Sequence, residues 1–410
     1  MSRVSLPELL APAGDQERLE AALLFGADAV YLGGKSFGMR AGPQNFDQTQ
    51  LAAAVERCHR QGVKVYLTCN TLPRGEEAEH LPEFIRNASR AGVDALIVAD
   101  IGVLMMARRE APELAVHIST QMGVVNHFTA TELYHLGASR VVLARELSLD
   151  EIAFLRDRTP PELELEAFVH GAMCVSFSGR CMLSQYLVGR DANRGECAQP
   201  CRWGYHLVEE KRLNQPFPIY EDEKGTYILN AQDMCMLEHL DKLQRAGITS
   251  FKIEGRAKSA YYVAVVTGAY RQAMDLLAKD PDNYNPPAWL VEETRKVSHR
   301  QYCTGFFFPD QPPNQYLKSG GYVRDWEVVA VVEGWQDGEL LCREKNRFSQ
   351  GETVEVMQPM KPPVRLEITA ITDEEGQVIE TARHPHMLVK IPSAQPFAPG
   401  SLLRIRREEE

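Results

Sequence analysis

The sequence predicts an α/β protein in which a (β/α)8, TIM-like barrel precedes a small C-terminal antiparallel β-barrel domain. Eight apolar, β-branched runs alternate with amphipathic segments over the first two thirds of the chain, which is typical of βαβ units. Glycines such as Gly62, Gly92 and Gly247 come shortly before the next run, as left-handed caps of helices do. A doubly wound open sheet would show the same alternation, but the count of eight favours the closed barrel.

Each predicted strand ends at a residue that we expect near the mouth of the barrel, because the C-terminal ends of barrel strands share one face. The runs are PELLAPAG to Gly14, DAVYLGG to Gly34, VKVYLTCN to Asn70, DALIVAD to Asp100, LAVHISTQ to Gln121, RVVLARE to Glu146, LELEAFVHG to Gly171 and SFKIEGR to Arg256. Helical patterns lie between them, as in FDQTQLAAAVERCHRQG.

The predicted barrel occupies residues 1–280, and residues 172–249 form an insertion after the seventh strand that contains cysteines and a helix. Prolines at 281, 286 and 287 mark residues 281–320 as a linker with a mixed segment. Period-two runs such as EVVAVVEGW and VRLEITAITD then follow, with glycine and aspartate turns. They predict the antiparallel β-barrel domain over residues 321–410.

Composition favours a folded protein, with 44% hydrophobic and 25% charged residues. The N-terminus lacks the pattern of a signal peptide, and no apolar run is long enough to cross a membrane, which favours the cytoplasm. We therefore expect no membrane partner. The net charge of −11 argues against a broadly basic nucleic-acid binder and leaves only a local basic surface for that role.

The insertion contains a C-x6-C-x15-C-x3-C pattern formed by Cys174, Cys181, Cys197 and Cys201. In the reducing cytosol, clustered cysteines are read as metal ligands rather than as disulfides. Iron–sulfur clusters and zinc both take four thiolates, but the wide spacing favours the cluster over paired zinc knuckles. Cys235 is a candidate substitute ligand. The sequence predicts that it lies on an apolar helix face, which favours packing in the core over ligation. The predicted fold is thus a barrel with an Fe–S-binding insertion.

Other candidate site residues lie at or near predicted strand ends. Arg145 and Arg256 suit an anionic small molecule, because a guanidinium binds carboxylate or phosphate through two hydrogen bonds. A structural ion pair at the rim is the alternative for each. The substrate-binding candidates are Arg145, Lys252, Arg256, Asn70 and Gln121, and the catalytic candidates are His170 and Glu254. His170 is suited to proton transfer near neutral pH, with a structural histidine as the alternative.

Longer stretches resemble the peptidase U-32 family, also called collagenase-like peptidases. They are LAPAG, GADAVYLGG, EAFVHGAMCVSFSGRCMLSQYLVGRDANRGECAQPCRWGY, SFKIEGRAKSAYYV and HPHMLVKIPSAQPFAPGSLLRI. The resemblance covers nearly the whole chain, and the last stretch is similar to the β-barrel domain of the TrhP-type branch.

The resemblance implies an oxygen-independent hydroxylation protein with a [4Fe–4S] cluster on Cys174, Cys181, Cys197 and Cys201. Some relatives take a ligand further along the chain, which keeps Cys235 in consideration. TrhP-type members form 5-hydroxyuridine at the wobble position of tRNA, with prephenate as the hydroxyl source. Other relatives hydroxylate a cytidine in rRNA or a quinone precursor.

The implied partners are tRNA and a small dicarboxylate donor, and assembly with itself or with a second family member is left open. If tRNA binds, basic residues of the insertion, such as Arg190 and Arg202, and those of the β-barrel domain must gather on one face. Two rivals remain. One is a peptidase, although Gly34-Lys35-Ser36-Phe37-Gly38 lacks the following helix of a nucleophile elbow. The other is a zinc-stapled, non-catalytic RNA-binding protein.

Overall fold

The computed structural model describes residues 6–39, 44–173, 181, 183–192, 196–200, 220–222, 225–227, 232–311, 322–384 and 386–407. Its first part alternates strands with helices. The strands are β1 Glu8–Ala13, β2 Ala29–Gly33, β3 Lys64–Cys69, β4 Ala95–Val98, β5 Ala115–Ile118, β6 Arg140–Val142, β7 Glu164–Ala172, β8 Tyr220–Asp222, β9 Gly225–Tyr227, β10 Asp233–Cys235, β11 Ser250–Ile253 and β12 Tyr302–Cys303.

The helices are α1 Gln16–Leu24, α2 Gln48–His59, α3 Leu81–Arg90, α4 Ile101–Glu110, α5 His127–His135, α6 Leu149–Arg156, α7 Leu183–Val188, α8 Leu240–Arg245, α9 Ala260–Lys279 and α10 Ala288–Glu293. Short 3-10 turns span Gly75–His80, Thr120–Met122, Leu237–His239 and Thr294–Lys296. Polar N-caps such as Asp47 and Ser148 begin several helices and form capping boxes with the third helical residue. No helix of the described residues combines the length and apolar character needed to span a membrane.

The parallel strands β1 to β7 pair in chain order, and β11 pairs with both β7 and β1. This pairing closes an eight-stranded barrel, so the predicted (β/α)8 fold is confirmed. Each predicted run overlaps one of these strands, and all but β7, which extends one residue further to Ala172, lie wholly within their runs. The strands pack against the surrounding helices through one large apolar core. A smaller, separate apolar cluster includes Leu10, Tyr31 and Tyr66.

The strand β7 is longer than its neighbours and continues beyond the barrel. Its last residues pair with β10 in antiparallel fashion, and β10 pairs in parallel with β12. The prediction that Cys235 lies on a helix face is therefore wrong. The segment that contains Cys235 pairs with the extended end of β7 and forms the strand β10. Within the segment predicted as a linker and mixed region, α10 and β12 pack against the barrel.

The C-terminal strands are β13 Trp326–Gln336, β14 Glu339–Glu344, β15 Phe348–Ser349, β16 Thr353–Met357, β17 Val364–Glu367, β18 Ile371–Thr372, β19 Val378–Ile379, β20 Thr381–Ala382, β21 Leu388–Pro392 and β22 Leu402–Arg406. Eight of them form an antiparallel sheet in the order β17-β16-β22-β13-β14-β21-β18-β19, a half-barrel with its own apolar core. The predicted antiparallel C-terminal domain is confirmed.

A buried cluster of charges joins the two domains. Arg404 of β22 is fully buried and lies 2.7 Å from Glu293 at the end of α10 and 2.9 Å from Glu355 of β16. Lys296 pairs with the same two carboxylates. Because each charge has partners, the cluster holds the C-terminal sheet in a defined position on the barrel.

Candidate active site at the barrel mouth

The cysteine-containing insertion leaves β7 at the mouth and contacts another mouth loop. Arg74, in the loop after β3, lies 2.8 Å from Asp191 of the insertion. Within the insertion, the buried Ser184 of α7 accepts a hydrogen bond of 3.2 Å from the backbone N–H of Ala198. This bond joins the segment that follows Cys181 to the segment that contains Cys197.

Two of the four predicted cluster ligands lie within the described residues. Cys181 is half-buried and Cys197 is exposed, whereas Cys174 and Cys201 lie outside the described residues. Among the described residues, no three His, Cys, Asp or Glu side chains group closely enough to hold a metal ion. The four-cysteine site therefore stays a prediction.

Cys235, the substitute ligand, lies on β10. Its sulfur is 3.9 Å from Oη of Tyr270 and 3.9 Å from Oγ1 of Thr294, and it packs against the main core. Burial raises the pKa of this thiol. These contacts are those of a thiol packed in the core, and the role of Cys235 as a substitute ligand stays a prediction.

Arg145 lies after β6, and the described residues satisfy its guanidinium only in part. Nη1 donates a 3.0 Å hydrogen bond to the carbonyl of Ala172, and the group stacks 3.9 Å from the ring centre of Phe168. Nε is buried and has no hydrogen-bond partner among the described residues. A buried guanidinium N–H without a partner is costly, so this position favours an anionic ligand.

Glu254, the predicted catalytic carboxylate, lies beside this arginine. Its Oε2 is 3.8 Å from Nη2 of Arg145, and the side chain is 17% exposed. The separation is too long for a strong hydrogen bond. The structure therefore brings these two predicted residues together without closing a tight ion pair between them.

Arg256, after β11, is 2% exposed and reaches across the mouth to β3. Nη1 donates a 3.0 Å hydrogen bond to Oγ1 of Thr68. A Cβ at Gly33 would lie 2.2 Å from this Nη1, so any larger residue at the end of β2 would displace the guanidinium. Thr68, which sequence reasoning missed, carries no motif that would have signalled this role.

Lys252 lies inside the barrel rather than at its rim. Its side chain is 5% exposed, and Nζ is 2.7 Å from Oε1 of the fully buried Glu166. The two remaining substrate-binding candidates support loops. Asn70 accepts a 3.2 Å hydrogen bond from the backbone of Met39, and Gln121 accepts a 3.2 Å bond from Ser119 in the turn after β5.

The ring of His170 does not join Arg145 and Glu254, although its backbone carbonyl accepts a 2.9 Å hydrogen bond from the backbone N–H of Glu254. The register between β7 and β11 shifts beside it, a β-bulge that turns its ring outward, whereas Phe168 faces the barrel interior. The ring packs among tyrosines, with Nε2 3.3 Å from Oη of Tyr302. The other two tyrosines are Tyr262 and Tyr270 of α9.

Burial lowers the pKa of His170 to about 3, and His299 and Lys258 act in the same direction. The imidazole is therefore neutral at physiological pH. Strand alternation alone would have placed this ring on the side of Phe168. The bulge, which decides its position, has no signal in the sequence.

Comparison with known proteins supports one family for both domains. The model of peptidase family U32 matches residues 14–316, and that of the family's C-terminal domain matches residues 324–404. "tRNA hydroxylation protein P1" of Bacillus subtilis is 35% identical over 97% of this chain and 94% of its own length.

Two further relatives carry different names. "Uncharacterized protease MJ0090" of Methanocaldococcus jannaschii is 42% identical over 80% of this chain and 84% of its own. "23S rRNA 5-hydroxycytidine C2501 synthase" of Escherichia coli is 37% identical over 82% of this chain and 52% of its own. With both family models matched, the chain belongs to peptidase family U32.

Proposed function

We propose that this protein is an RNA-modifying enzyme that hydroxylates tRNA and forms 5-hydroxyuridine at the wobble position. The reaction uses no molecular oxygen and takes the hydroxyl oxygen from prephenate. The observation that carries the proposal is the similarity to a relative named for tRNA hydroxylation, which extends over 97% of this chain. The relative named for rRNA 5-hydroxycytidine synthesis supports the same class of reaction.

The barrel mouth suits a dicarboxylate donor. Arg145 offers a buried Nε–H that has no partner among the described residues, and its guanidinium stacks on Phe168. A donor carboxylate would satisfy that group and would compete with the long contact to Glu254. Arg256 adds a second buried guanidinium at the mouth, held by Thr68 of β3.

The proposed cofactor is a [4Fe–4S] cluster held by Cys174, Cys181, Cys197 and Cys201. Four thiolates are the donor set that such clusters take, and the bond between Ser184 and Ala198 joins the segments around two of them. When bound, the cluster would supply one-electron redox chemistry beside the mouth. Because its proposed substrate is tRNA, the protein is also proposed to act in the cytoplasm.

A peptidase is the rival because of the family's name and a relative's name. Ser36, within the G-x-S-x-G pattern, lies in an exposed loop after β2, and Gly34 bridges to Phe46. Among the described residues, the next helix is α2, which begins at Gln48. A nucleophile elbow needs a helix directly after the serine, so this geometry disfavours the rival.

Mass spectrometry of tRNA nucleosides from a deletion strain tests the proposal. We expect 5-hydroxyuridine and its derivatives to disappear, to return with the wild-type chain, and to stay absent with Cys197→Ser. Cys342→Ala, which removes a buried thiol of the C-terminal domain, is the matched control and is expected to restore them. Unchanged nucleosides in the deletion strain, together with peptide cleavage by the purified protein, would overturn the assignment.

Metal analysis of the purified protein tests the cofactor separately. We expect iron and acid-labile sulfide in the wild-type chain and a loss of both in Cys197→Ser. Stoichiometric zinc without sulfide would contradict the cluster and would favour a zinc-stapled RNA-binding protein.

A further inference from the structure

We infer that Tyr322, Lys258 and Arg324 form an RNA-binding site at the rim of the barrel mouth, where Tyr322 stacks on a base and the cations contact the flanking phosphates. The inference rests on the proposed function, because it places the tRNA at this rim. The proposed RNA-binding surface lies outside the cysteine insertion.

Three cations surround the ring of Tyr322. Nζ of Lys258 is 4.1 Å from the ring centre, and the guanidinium carbons of Arg300 and Arg324 are 5.2 and 5.7 Å from it. All three distances are within the range of cation–π attraction. Such a concentration of positive charge around one half-buried ring stands out in a chain whose net charge is −11.

The site lies where a substrate would enter the barrel. Lys258 belongs to the loop between β11 and α9, shortly after Arg256. Arg18, at the start of α1 after β1, donates a hydrogen bond to the carbonyl of Lys258. Because these loops follow the C-terminal ends of adjacent barrel strands, Lys258 sits on the mouth face.

The backbone holds Tyr322 and Arg324 on one side of their segment. Val323, between them, forms an antiparallel bridge with His299, with hydrogen bonds of 2.8 and 3.3 Å. Side chains alternate along an extended chain, so residues 322 and 324 share the face opposite Val323. Lys258 approaches that face and donates a 3.0 Å hydrogen bond to the carbonyl of Ser298.

The three cations have different roles. Arg300 is 1% exposed and lies 2.8 Å from Asp233, so it supports the ring from inside. Arg324 is exposed, and no carboxylate in the described part of the chain pairs with it. The neighbouring carboxylate of Asp325 lies 3.8 Å from Arg406 instead. Arg324 is therefore the cation that solvent-borne phosphate reaches most directly.

An aromatic ring beside unpaired arginine is the combination with which proteins bind single-stranded RNA. The ring stacks on a base, and the guanidinium neutralises a phosphate. An anticodon loop presents both groups next to the wobble position. If the cations instead served only to hold the C-terminal domain in place, their removal would change stability and leave RNA affinity unaltered.

Binding of an unmodified anticodon stem-loop RNA, measured across a series of KCl concentrations, tests the site. We expect Arg324→Ala to weaken binding about tenfold and to reduce the slope of log K against log salt by about 0.7 to 0.9, equivalent to one phosphate contact. Arg324→Lys should keep the slope. Tyr322→Leu should weaken binding about five- to tenfold with the slope unchanged, because stacking is not ionic.

Arg383→Ala is the matched control, since Arg383 is an exposed arginine of the same domain that directly follows β20. Thermal unfolding verifies that each variant is folded. The site is overturned if Arg324→Ala matches Arg383→Ala in both affinity and slope. Equal competition by poly-glutamate and by RNA would also overturn it, because the surface would then bind acidic chains in general.

The nucleoside measurement separates this inference from the proposed function. If the wild-type chain restores 5-hydroxyuridine while Arg324→Ala binds RNA normally, only the RNA site fails. If RNA binding depends on Arg324 while the wild-type chain restores no 5-hydroxyuridine, the site is supported and the proposed reaction fails.

Discussion

Arg140 begins β6 at the base of the barrel, and Arg145 follows the end of β6 at the barrel mouth. The side chain of Arg140 is 3% exposed and lies 2.7 Å from Glu8, 2.6 Å from Glu164 and 3.0 Å from Glu166. Arg145 has one hydrogen bond to a carbonyl, a 3.8 Å contact to Glu254 and an Nε without a partner among the described residues.

This difference distinguishes a charged residue that stabilises the fold, Arg140, from one that is suited to bind a ligand, Arg145. At the base, carboxylates surround each buried cation and so offset its desolvation. Burial alone would raise the pKa of Glu166, but Lys252 and Arg140 lower it below its ordinary value. At the mouth the compensation is incomplete. Incomplete compensation is what a site for an anionic ligand requires before the ligand binds.

The largest expected effect comes from Glu166→Gln at the base. The change leaves the buried Lys252 without its carboxylate, which costs about 3 to 5 kcal/mol in the free energy of unfolding. Urea denaturation measures the loss. The double variant Glu166→Leu with Lys252→Met should recover the part lost at Lys252, while Arg140 keeps Glu8 and Glu164. A Glu166→Gln protein that unfolds at the wild-type urea concentration would contradict this reading of the base.

Arg145→Gln should act on function rather than on stability. We expect the free energy of unfolding to change by less than about 1 kcal/mol, because the lost contacts are weak. The value of kcat/KM for the donor should fall by about 100-fold, or roughly 2.7 kcal/mol. Prephenate should raise the Tm of the wild-type protein and leave that of Arg145→Gln unchanged. A variant as unstable as Glu166→Gln would make Arg145 a structural residue instead.

His170 should make the fold sensitive to mild acid. Its pKa is about 3 in the folded protein and near 6.5 in the unfolded chain, so between these values only the unfolded chain binds the proton. The contribution of His170 to the free energy of unfolding is at its maximum well above pH 6.5. It is lower by about 2 kcal/mol at pH 5. His170→Gln should lose this part of the pH dependence in urea titrations at pH 7 and pH 5. Parallel pH curves for the two proteins would refute the assignment.

Glu164→Gln should have the smallest effect. The carboxylate also contacts Arg140, but its side chain is 46% exposed, so solvent screens the pair. We expect a loss of at most about 1 kcal/mol, and less in 1 M NaCl. A loss as large as that of Glu166→Gln would show that position in the network, rather than burial, decides the contribution.

Several site features followed from the sequence, and others did not. Arg145 and Glu254 were expected at strand ends, and the structure places them together. Lys252 was predicted to bind substrate as well, because it lies near the end of its strand. Its side chain instead points into the barrel interior and contacts Glu166. His170 was grouped with them as well, and the bulge in β7 turns it toward the tyrosines of α9.

The sequence by itself determined the number of barrel strands, the order of the domains and the position of the cysteine insertion. These depend on local periodicity and on spacing along the chain, which a single sequence displays. Only the tertiary structure decided which buried cations are compensated. Arg140 meets Glu8 and Ser250 only because β1 and β11 close the barrel beside it, and Tyr322 meets Lys258 only because the C-terminal segment folds back to the mouth. Compensation depends on distances between residues far apart in the chain, and no local pattern encodes those distances.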